Sequence, residues 1–324
     1  RYMHHHHRIP NKALNAALFL LRRPTLRNLC GPVDCFFAPN HNFLPGLNGV
    51  PLVLTVHDLS YHHYPSLFSR KKRLWHTLVQ PRRIMREASA LIAVSETTAK
   101  DCINTFHVPS EKIHAIHSGV TTHAVSGHER SAVRTQYQLP AHFLFSLSTH
   151  EPRKNLITLL DAYHELRRSG KYTGALVLAG THGWSVQHFE NAVKTHPFRK
   201  DILLLGYVPA DDKDALYAIA DCFLYLSFYE GFGFPPLEAL AQGTPVVAGH
   251  HSSLAEVAGT GVIAVDVYNV HDVVQATRIL LKDTATREKL REQGKALSQR
   301  YSWQRTAEAT ARVFHSLSGN AHRN

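Results

Sequence analysis

Short apolar runs alternate with longer amphipathic stretches through the second half of the chain. Each run holds four to six residues and is rich in Val, Leu and Phe, the pattern of parallel strands that are buried on both faces. The runs are Phe143–Ser148, Ala175–Ala179, Ile202–Leu205, Phe223–Ser227, Pro245–Ala248 and Val262–Val265. Helical spacing lies between and after them, over residues 155–169, 185–195, 211–220, 236–242, 253–258 and 270–282. This alternation predicts a doubly wound α/β domain.

The first part of the chain repeats this alternation less completely. Its predicted strands are Val33–Phe37, Leu52–Val56, Leu91–Val94 and Ile113–Ile116, and its predicted helices cover residues 11–29, 69–88 and 96–106. Residues 117–140 are polar and lack long apolar runs, so we place the connection between two domains there. We therefore predict two Rossmann-like domains that face each other across a ligand cleft, with bounds 1–139 and 140–300, and a terminal helix in 301–324 that crosses back to the first domain.

Composition narrows the possible classes of protein. The 324 residues are 44% hydrophobic and 19% charged, which excludes a disordered chain. The net charge of +11 is uneven: residues 1–139 hold 17 Lys and Arg against 7 Asp and Glu, whereas the rest holds 19 against 18. A basic first domain indicates a membrane surface, nucleic acid or a phosphorylated substrate as partner, and a solvated basic surface fits equally well.

The cysteines and the lengths of the apolar stretches indicate in which cellular compartment the protein works. The four cysteines, Cys30, Cys35, Cys102 and Cys222, form no C-x-x-C pair, as expected for reduced thiols in a cytoplasmic protein. The longest apolar stretch, Ala13–Leu21, is much shorter than a membrane-spanning helix, and no signal peptide is visible. We expect a cytoplasmic protein that is soluble or bound peripherally at the inner face of the membrane.

The densest chemical pattern is E-G-F-G-F-P-P-L-E, from Glu230 to Glu238. It follows a predicted strand and opens a helix, so Gly231 and Gly233 let the backbone approach a ligand while the helix N-terminus attracts a phosphate. Carboxylates on both sides of such a cradle suit a ligand with hydroxyl-rich rings on both sides of a diphosphate, as in a nucleotide sugar. A simple turn whose glutamate offsets the helix dipole is the alternative.

Two smaller patterns also follow predicted strands. E-P-R-K-N places Arg153 and Lys154 where cations neutralise a diphosphate, and T-V-H-D places His57 where an imidazole donates to a phosphate or a hydroxyl. Taken alone, the first also fits a solvated turn and the second a structural histidine. No G-x-G-x-x-G follows an early strand and no P-loop occurs, which argues against NAD and P-loop proteins.

Basic and apolar residues are interleaved along one predicted helix of the first domain. The basic ones are Arg70, Lys71, Lys72, Arg73, Arg82, Arg83 and Arg86, and the apolar ones are Leu74, Trp75, Leu78 and Ile84. This pattern fits a surface that meets anionic lipid headgroups, and it fits an ordinary amphipathic helix as well. No nucleic-acid motif accompanies the charge, so we expect no nucleic-acid partner.

Taken together, the motifs resemble the retaining glycosyltransferases of family 4, which have the GT-B fold. The matching segments run in family order from about residue 33 to 315 and include T-V-H-D-L-S, A-V-S-E-T-T, E-P-R-K-N-L, L-L-G-Y-V, Y-E-G-F-G-F-P-P-L-E-A-L-A-Q-G-T-P-V-V-A and Y-S-W-Q-R-T. Within the family the chain is similar to bacterial mannosyltransferases of polysaccharide and lipopolysaccharide O-antigen biosynthesis. Members begin with a strand and a glycine-rich loop that nothing before Val33 supplies, so we expect an incomplete first domain, with the origin of the run His4–His7 left open.

The resemblance implies a role for each candidate residue. Glu230 contacts the donor hexose, Arg153 and Lys154 hold the leaving diphosphate, and His57 reaches the transferred sugar from the other domain. Glu238 binds the ribose, and the remaining contacts are made by backbone groups, those of Phe232, Gly233 and Phe234 to the sugar and those near Tyr207 and Val208 to the base. No metal is required.

The expected activity is transfer of a hexose, with mannose preferred, from GDP-mannose or a UDP-sugar to a glycan or lipid-linked acceptor. Two alternatives stay open: a nucleotide-sugar epimerase or phosphorylase on the same fold, and an inactive module that only binds the donor.

Overall fold

The computed structural model describes residues 9–321, so the run His4–His7 lies outside the described residues. The chain forms two compact units. Within the described residues, unit 1 comprises 9–65, 70–117 and 304–321, and unit 2 comprises Ser66–Ser69 and Ser118–Trp303.

The division between the units falls after His117 rather than at residue 139, where the sequence predicts it. The intervening segment contains an unpredicted helix, Gly127–Gln136, and belongs to unit 2 because it bonds to that unit's acidic side chains. The hydroxyl of Tyr137 donates to Asp212 at 2.6 Å, and the backbone N–H of His123 donates to Asp214 at 2.9 Å.

Unit 1 is built on a four-stranded parallel sheet of order β1-β2-β3-β4. Its strands are β1 (Phe36–Ala38), β2 (Leu52–Val56), β3 (Ala90–Ala93) and β4 (Ile113–Ala115). Its helices are α1 (Asn11–Leu21), α2 (Leu26–Cys30), α3 (Ser60–His63), α4 (Arg70–Val79), α5 (Pro81–Glu87) and α6 (Glu96–Phe106), and α15 (Trp303–Ala321) lies in this unit from residue 304 onward. β2 and β3 are buried along their whole length.

Two helices that the sequence predicts as continuous are each broken by a proline. Residues 11–29 divide into α1 and α2 around Pro24, and residues 69–88 divide into α4 and α5 at Pro81. Proline lacks the N–H that an interior helical position must donate, and its ring disfavours helical geometry in the residue before it. Gln80, which precedes Pro81, takes a left-handed conformation, with φ of 55°.

Unit 2 contains a six-stranded parallel sheet of order β10-β9-β8-β5-β6-β7. Its strands are β5 (Phe143–Leu147), β6 (Ala175–Ala179), β7 (Ile202–Gly206), β8 (Cys222–Tyr225), β9 (Val246–Gly249) and β10 (Ile263–Val265). Its helices are α7 (Gly127–Gln136), α8 (Leu156–Arg168), α9 (Gln187–Thr195), α10 (Ala210–Ile219), α11 (Phe234–Ala241), α12 (Ser253–Val257), α13 (Val270–Lys282) and α14 (Thr284–Ser298). All six predicted strands are present, and the predicted Rossmann-like α/β class is confirmed.

The strand order of unit 2 has a direct consequence for ligand binding. The chain starts in the middle at β5, proceeds outward through β6 and β7, and then returns to β8 on the other side of β5. The loops that leave β5 and β8 therefore diverge at the carboxyl edge of the sheet and open a crevice, which is where open α/β sheets bind ligands.

Each unit has its own apolar core. In unit 2, Tyr163, Tyr217 and Phe145 are fully buried against the sheet. In unit 1, Val313 of α15 packs with Val53 and Ile92, and residues 304–321 group with this unit for that reason.

No helix between residues 9 and 321 has both the length and the apolar character needed to cross a membrane.

Gly119 lies where two backbone segments of unit 2 approach closely, and this position provides a test of the packing. The N–H of Val120 donates to Tyr301 O at 3.1 Å, and a Cβ on Gly119 would lie 2.1 Å from Trp303 N. Because backbone atoms cannot yield as a side chain does, we expect Gly119→Ala to destabilise the protein by about 1–3 kcal/mol.

Thermal unfolding measures this effect, with Gly127→Ala as the matched control. A Cβ on Gly127, at the start of α7, meets nothing within 4 Å, so the control should leave the melting temperature unchanged or raise it. Equal melting temperatures for the two variants would contradict the close approach.

Candidate functional site

The two strongest sequence motifs meet at the crevice of unit 2. The segment that contains Arg153 and Lys154 follows β5 and forms a short turn of 3-10 helix, Pro152–Lys154. The loop that contains Glu230 follows β8, the strand hydrogen-bonded beside β5. The two segments are far apart in sequence, and the strand order alone brings them together.

A buried ion-pair cluster joins these two loops. Lys154 Nζ lies 2.5 Å from Glu230 Oε1, and Arg153 Nη1 lies 3.0 Å from Glu230 Oε2. Glu230 is only 8% exposed. Burial by itself would raise the pKa of this carboxyl group, but the charges of Lys154 and Arg153 outweigh burial and hold the pKa at about 2. Glu230 is therefore an ionised hydrogen-bond acceptor at neutral pH.

Arg153 also fixes the shape of the loops around this cluster. Its guanidinium donates to Glu151 at 3.0 Å through Nε and to the carbonyl of Tyr229 at 2.7 Å through Nη1. The N–H of Phe228 donates in turn to the carbonyl of Arg153 at 2.9 Å. Two cations and two carboxylates thus balance each other in a site that is hydrogen-bonded to both loops.

Tyr225 is a member of this cluster that the sequence reasoning missed. Its hydroxyl donates to Glu230 Oε1 at 2.9 Å and accepts from Lys154 Nζ at 2.9 Å. Burial and the charge of Glu230 raise the pKa of Tyr225 to about 12, so the hydroxyl keeps its proton. The available signal is a tyrosine in the otherwise apolar strand C-F-L-Y, because a buried phenol needs a polar partner.

The glycine loop is anchored through its backbone. The N–H of Glu230 donates to Ser252 Oγ at 3.1 Å, and Ser253 Oγ donates to the carbonyl of Glu230 at 2.8 Å. Gly233 caps α11 with φ of 101°, a left-handed conformation that favours glycine, and a Cβ there would lie 2.6 Å from Leu254 Cδ2. The first N–H groups of α11 lack acceptors within the helix, as at every helix start.

The two phenylalanines of the loop differ in exposure. Phe232 is buried and makes an edge contact with Tyr301 at a centroid distance of 5.6 Å. Phe234 is 37% exposed and stacks on Trp303 at 6.3 Å. Their side chains therefore pack the loop against the end of unit 2, which leaves backbone groups as the polar groups they offer to a ligand.

Glu238 lies in α11 and faces α10. Lys213 Nζ lies 2.6 Å from Glu238 Oε1, and the hydroxyl of Tyr217 donates to Oε2 at 3.0 Å. Glu238, Lys213 and Phe234 line a cavity of about 400 Å³ within unit 2. Sequence reasoning missed Lys213 and Tyr217 because no local pattern links them to a carboxylate in the next helix.

Tyr207 and Val208 follow β7, at the edge of the sheet. Tyr207 is 72% exposed and Val208 is half-buried. β6 lies between β7 and β5, so these residues lie two strands from the ion-pair cluster, on the same carboxyl edge of the sheet.

His57 belongs to unit 1, where it follows β2 and is exposed. Its Nε2 lies 2.9 Å from the carbonyl of Pro39, so this nitrogen carries the proton and donates. Next to it, Asp58 Oδ1 accepts from the N–H of Ser60 at 2.8 Å. The role of His57 toward a transferred sugar stays a prediction.

Within residues 9–321, no group of three His, Cys, Asp or Glu side chains has the arrangement of a metal site.

Comparison with protein families gives two adjoining matches. Residues 2–124 match the family described as Glycosyltransferase Family 4, and residues 132–297 match Glycosyl transferases group 1. The O-antigen chain mannosyltransferase B of Escherichia coli is 31% identical over 265 residues, which cover 81% of this chain and 69% of that protein. The serotype-specific mannosyltransferase WbdA of Escherichia coli is 29% identical over 68% of this chain, but the match spans only 28% of its own length.

Solved structures share the fold. Alr3699/HepE of Anabaena, in complex with UDP and glucose, matches with a TM-score of 0.68 at 21% identity, over 83% of this chain and 71% of that one. WaaG, a glycosyltransferase involved in lipopolysaccharide biosynthesis, matches with a TM-score of 0.71 at 16% identity, over 87% of this chain and 78% of that one. These structures establish the GT-B fold for this chain.

The ion-pair cluster predicts a defined pH dependence of stability. The pKa of Glu230 falls from its ordinary 4.5 to about 2 on folding, so its stabilising contribution is complete above pH 4.5 and is lost as the pH falls toward 2. Lys154→Met leaves the carboxylate buried without its nearest cation. We expect this variant to lose about 3–5 kcal/mol at pH 7 and to unfold less steeply with acid between pH 4.5 and 2.

Urea unfolding at a series of pH values tests this prediction. Lys171→Met, which removes an exposed lysine of unit 2, should follow the parent curve throughout. A Lys154→Met curve parallel to the parent curve below pH 4.5 would show that the pair does not set the pKa of Glu230.

Proposed function

The chain belongs to the group 1 glycosyl transferases of family 4, and we propose that it is a retaining enzyme that transfers a hexose from a nucleotide-diphosphate sugar. The observation that carries this proposal is the cluster of Lys154, Arg153 and Glu230 at the crevice of unit 2. It joins two cations, with side chains that are 14% and 10% exposed, to a carboxylate whose pKa of about 2 keeps it ionised.

Lys154 and Arg153 supply the charge that departure of a diphosphate requires. Negative charge builds up on the leaving phosphate in the transition state, and preorganised cations in a site of low dielectric stabilise it strongly. The hydrogen bonds to Glu230, Tyr225 and the Tyr229 carbonyl hold both cations in place before any ligand arrives. Because these side chains supply the positive charge, we propose that the reaction proceeds without a metal ion.

Glu230 is suited to hold the sugar rather than to exchange protons. An acid whose pKa is about 2 is a poor proton donor at neutral pH, but it accepts strong hydrogen bonds from sugar hydroxyls. We assign the hexose to Glu230 and to the backbone N–H groups of Phe232, Gly233 and Phe234. The negative charge beside the anomeric carbon also favours the oxocarbenium-like state through which we propose the retaining transfer passes.

The nucleotide then extends along the carboxyl edge of the sheet. Glu238 accepts hydrogen bonds from the ribose hydroxyls, which requires Lys213 to release part of its contact with this carboxylate. The base lies near the backbone of Tyr207 and Val208, at the exposed end of β7. This order matches the linear shape of a nucleotide sugar.

We propose GDP-mannose as the donor and a glycan or lipid-linked saccharide as the acceptor. The names of the two mannosyltransferases from Escherichia coli support the sugar, and the lysine and arginine at the diphosphate position support any nucleotide sugar. UDP-sugars are the alternative donors, since the Anabaena structure contains UDP.

We also propose that unit 1 meets an anionic membrane surface on the cytoplasmic side. Leu74 and Leu78 of α4 are 59% and 36% exposed on a helix that begins with Arg70, Lys71 and Lys72. Exposed leucines on a cationic helix suit insertion among anionic headgroups. The four cysteines are free, as a reducing compartment requires.

Transfer from radiolabelled GDP-mannose, measured with extracts of lipid-linked saccharide, tests the activity. We expect Glu230→Ala and Lys154→Ala to lower kcat by about 100- to 1000-fold, because each removes a group that acts on the developing charge. Glu238→Ala should instead raise the donor KM more than it lowers kcat. Chelation by EDTA should leave the rate unchanged.

The control is Glu165→Ala, which breaks the exposed pair with Arg168 at the far end of α8 and should keep full activity. A released epimer or a sugar phosphate without transfer would replace the transferase with the epimerase or phosphorylase alternative. Donor binding without any turnover would favour an inactive module.

Flotation with vesicles that contain phosphatidylglycerol tests the membrane surface. The double variant Leu74→Ser/Leu78→Ser should reduce the bound fraction several-fold, because it removes the apolar part of the contact without unfolding a core. Leu204→Ser in unit 2, where the leucine is 45% exposed, is the matched control and should bind like the parent. Equal loss in both variants would rule out α4 as the contact.

A further inference from the structure

Unit 1 contains a large cationic cavity that the proposed donor site does not use. Its volume is about 1210 Å³, and all of its lining residues belong to α3–α6 or the turns beside them. Arg73 comes from α4, and Arg82, Arg83 and Arg86 come from α5. The left-handed turn at Gln80 reorients the chain so that both helices contribute arginines to one concave surface.

The charge of this cavity is largely uncompensated. Glu87 is the single carboxylate among the lining residues of the described chain, and Arg83 already pairs with it at 2.6 Å. Over residues 9–321, no acidic side chain forms an ion pair with Arg73, Arg82 or Arg86. Arg82 and Arg86 are also four residues apart on one helix, where like charges repel. Such an arrangement is stabilised by binding an anion.

The uncharged part of the lining is aromatic and polar. Tyr61 stacks on His76 with ring centroids 4.1 Å apart, and the buried hydroxyl of Tyr61 has no hydrogen-bond partner in the described structure. Burial lowers the pKa of His76 to about 4, so this imidazole stays neutral at physiological pH. Phe106 forms a second aromatic surface, and Thr77 and Thr105 add hydroxyl groups.

We propose that this cavity binds a phosphate-bearing saccharide. The guanidinium groups of Arg73, Arg82 and Arg86 present paired donors that match phosphate oxygens. The aromatic faces and hydroxyl groups beside them suit a sugar ring, and the volume is several times larger than a lone phosphate needs. The inference that the ligand contains phosphate rests on the cavity alone. The inference that it is a saccharide rests on the proposed function, in which this site would hold an anionic acceptor.

Calorimetric titration of the whole protein with mannose 1-phosphate tests the proposal without any turnover. We expect Arg82→Ala/Arg86→Ala to weaken binding at least tenfold. Arg70→Ala/Lys71→Ala removes the same charge from α4 outside the cavity and should change binding less than twofold. All four side chains are exposed, so both double variants should fold, which circular dichroism melting curves check. Free mannose should bind weakly or not at all.

Three results would overturn the proposal. Equal weakening in both double variants would indicate general charge attraction. Loss of binding in Glu230→Gln but not in Arg82→Ala/Arg86→Ala would place the ligand at the donor site, which leaves the proposed function standing. Binding of phosphatidylglycerol vesicles through Arg82 and Arg86, with no binding of mannose 1-phosphate, would make a lipid headgroup the occupant. Conversely, if the protein binds mannose 1-phosphate at the cavity but shows no transfer activity, the proposed transferase function is refuted while the proposed anion site in unit 1 stands.

Discussion

The candidate site depends on one electrostatic constraint, the compensation of the buried Glu230 carboxylate. An ionised carboxylate in a protein interior is tolerated only when cations and hydrogen bonds replace its water, and here Lys154, Arg153 and Tyr225 do so. These partners come from two places in the sequence, the segment after β5 and the strand β8. Only a sheet in which β5 and β8 are neighbours can assemble them, so the ion-pair cluster can form only in this strand order.

The sequence predicts those features that arise from local patterns. Strands buried on both faces must be continuously apolar, which is why all six strands of unit 2 are recognisable. The motif residues Arg153, Lys154 and Glu230 are recognisable because they follow such strands. The partners of these motif residues are not recognisable in the sequence, since Lys213 and Tyr225 contact their carboxylates only through tertiary structure. Helix α7 was also missed, although Ser126 and Glu129 form a capping box that signals its start.

The uneven charge acquires a structural explanation when the two units are considered separately. In unit 2, Arg153 and Lys154 of the motif and Lys213 of α10 all form ion pairs with carboxylates. In unit 1 the arginines of α5 gather at one cavity with a single carboxylate among its described lining residues. Composition shows an excess of positive charge, but only the fold distinguishes cations that form ion pairs within the chain from cations that do not.

The double connection between the two loops limits how this protein can vary. Arg153 is bound to the β8 loop through both its side chain and its carbonyl, which receives the N–H of Phe228. Adding or deleting one residue in either loop would shift one partner by several ångströms and leave Glu230 without a cation. Changes of length should therefore accumulate in other connections. Attempts to alter substrate preference by loop exchange would have to transplant the β5 and β8 loops as a pair.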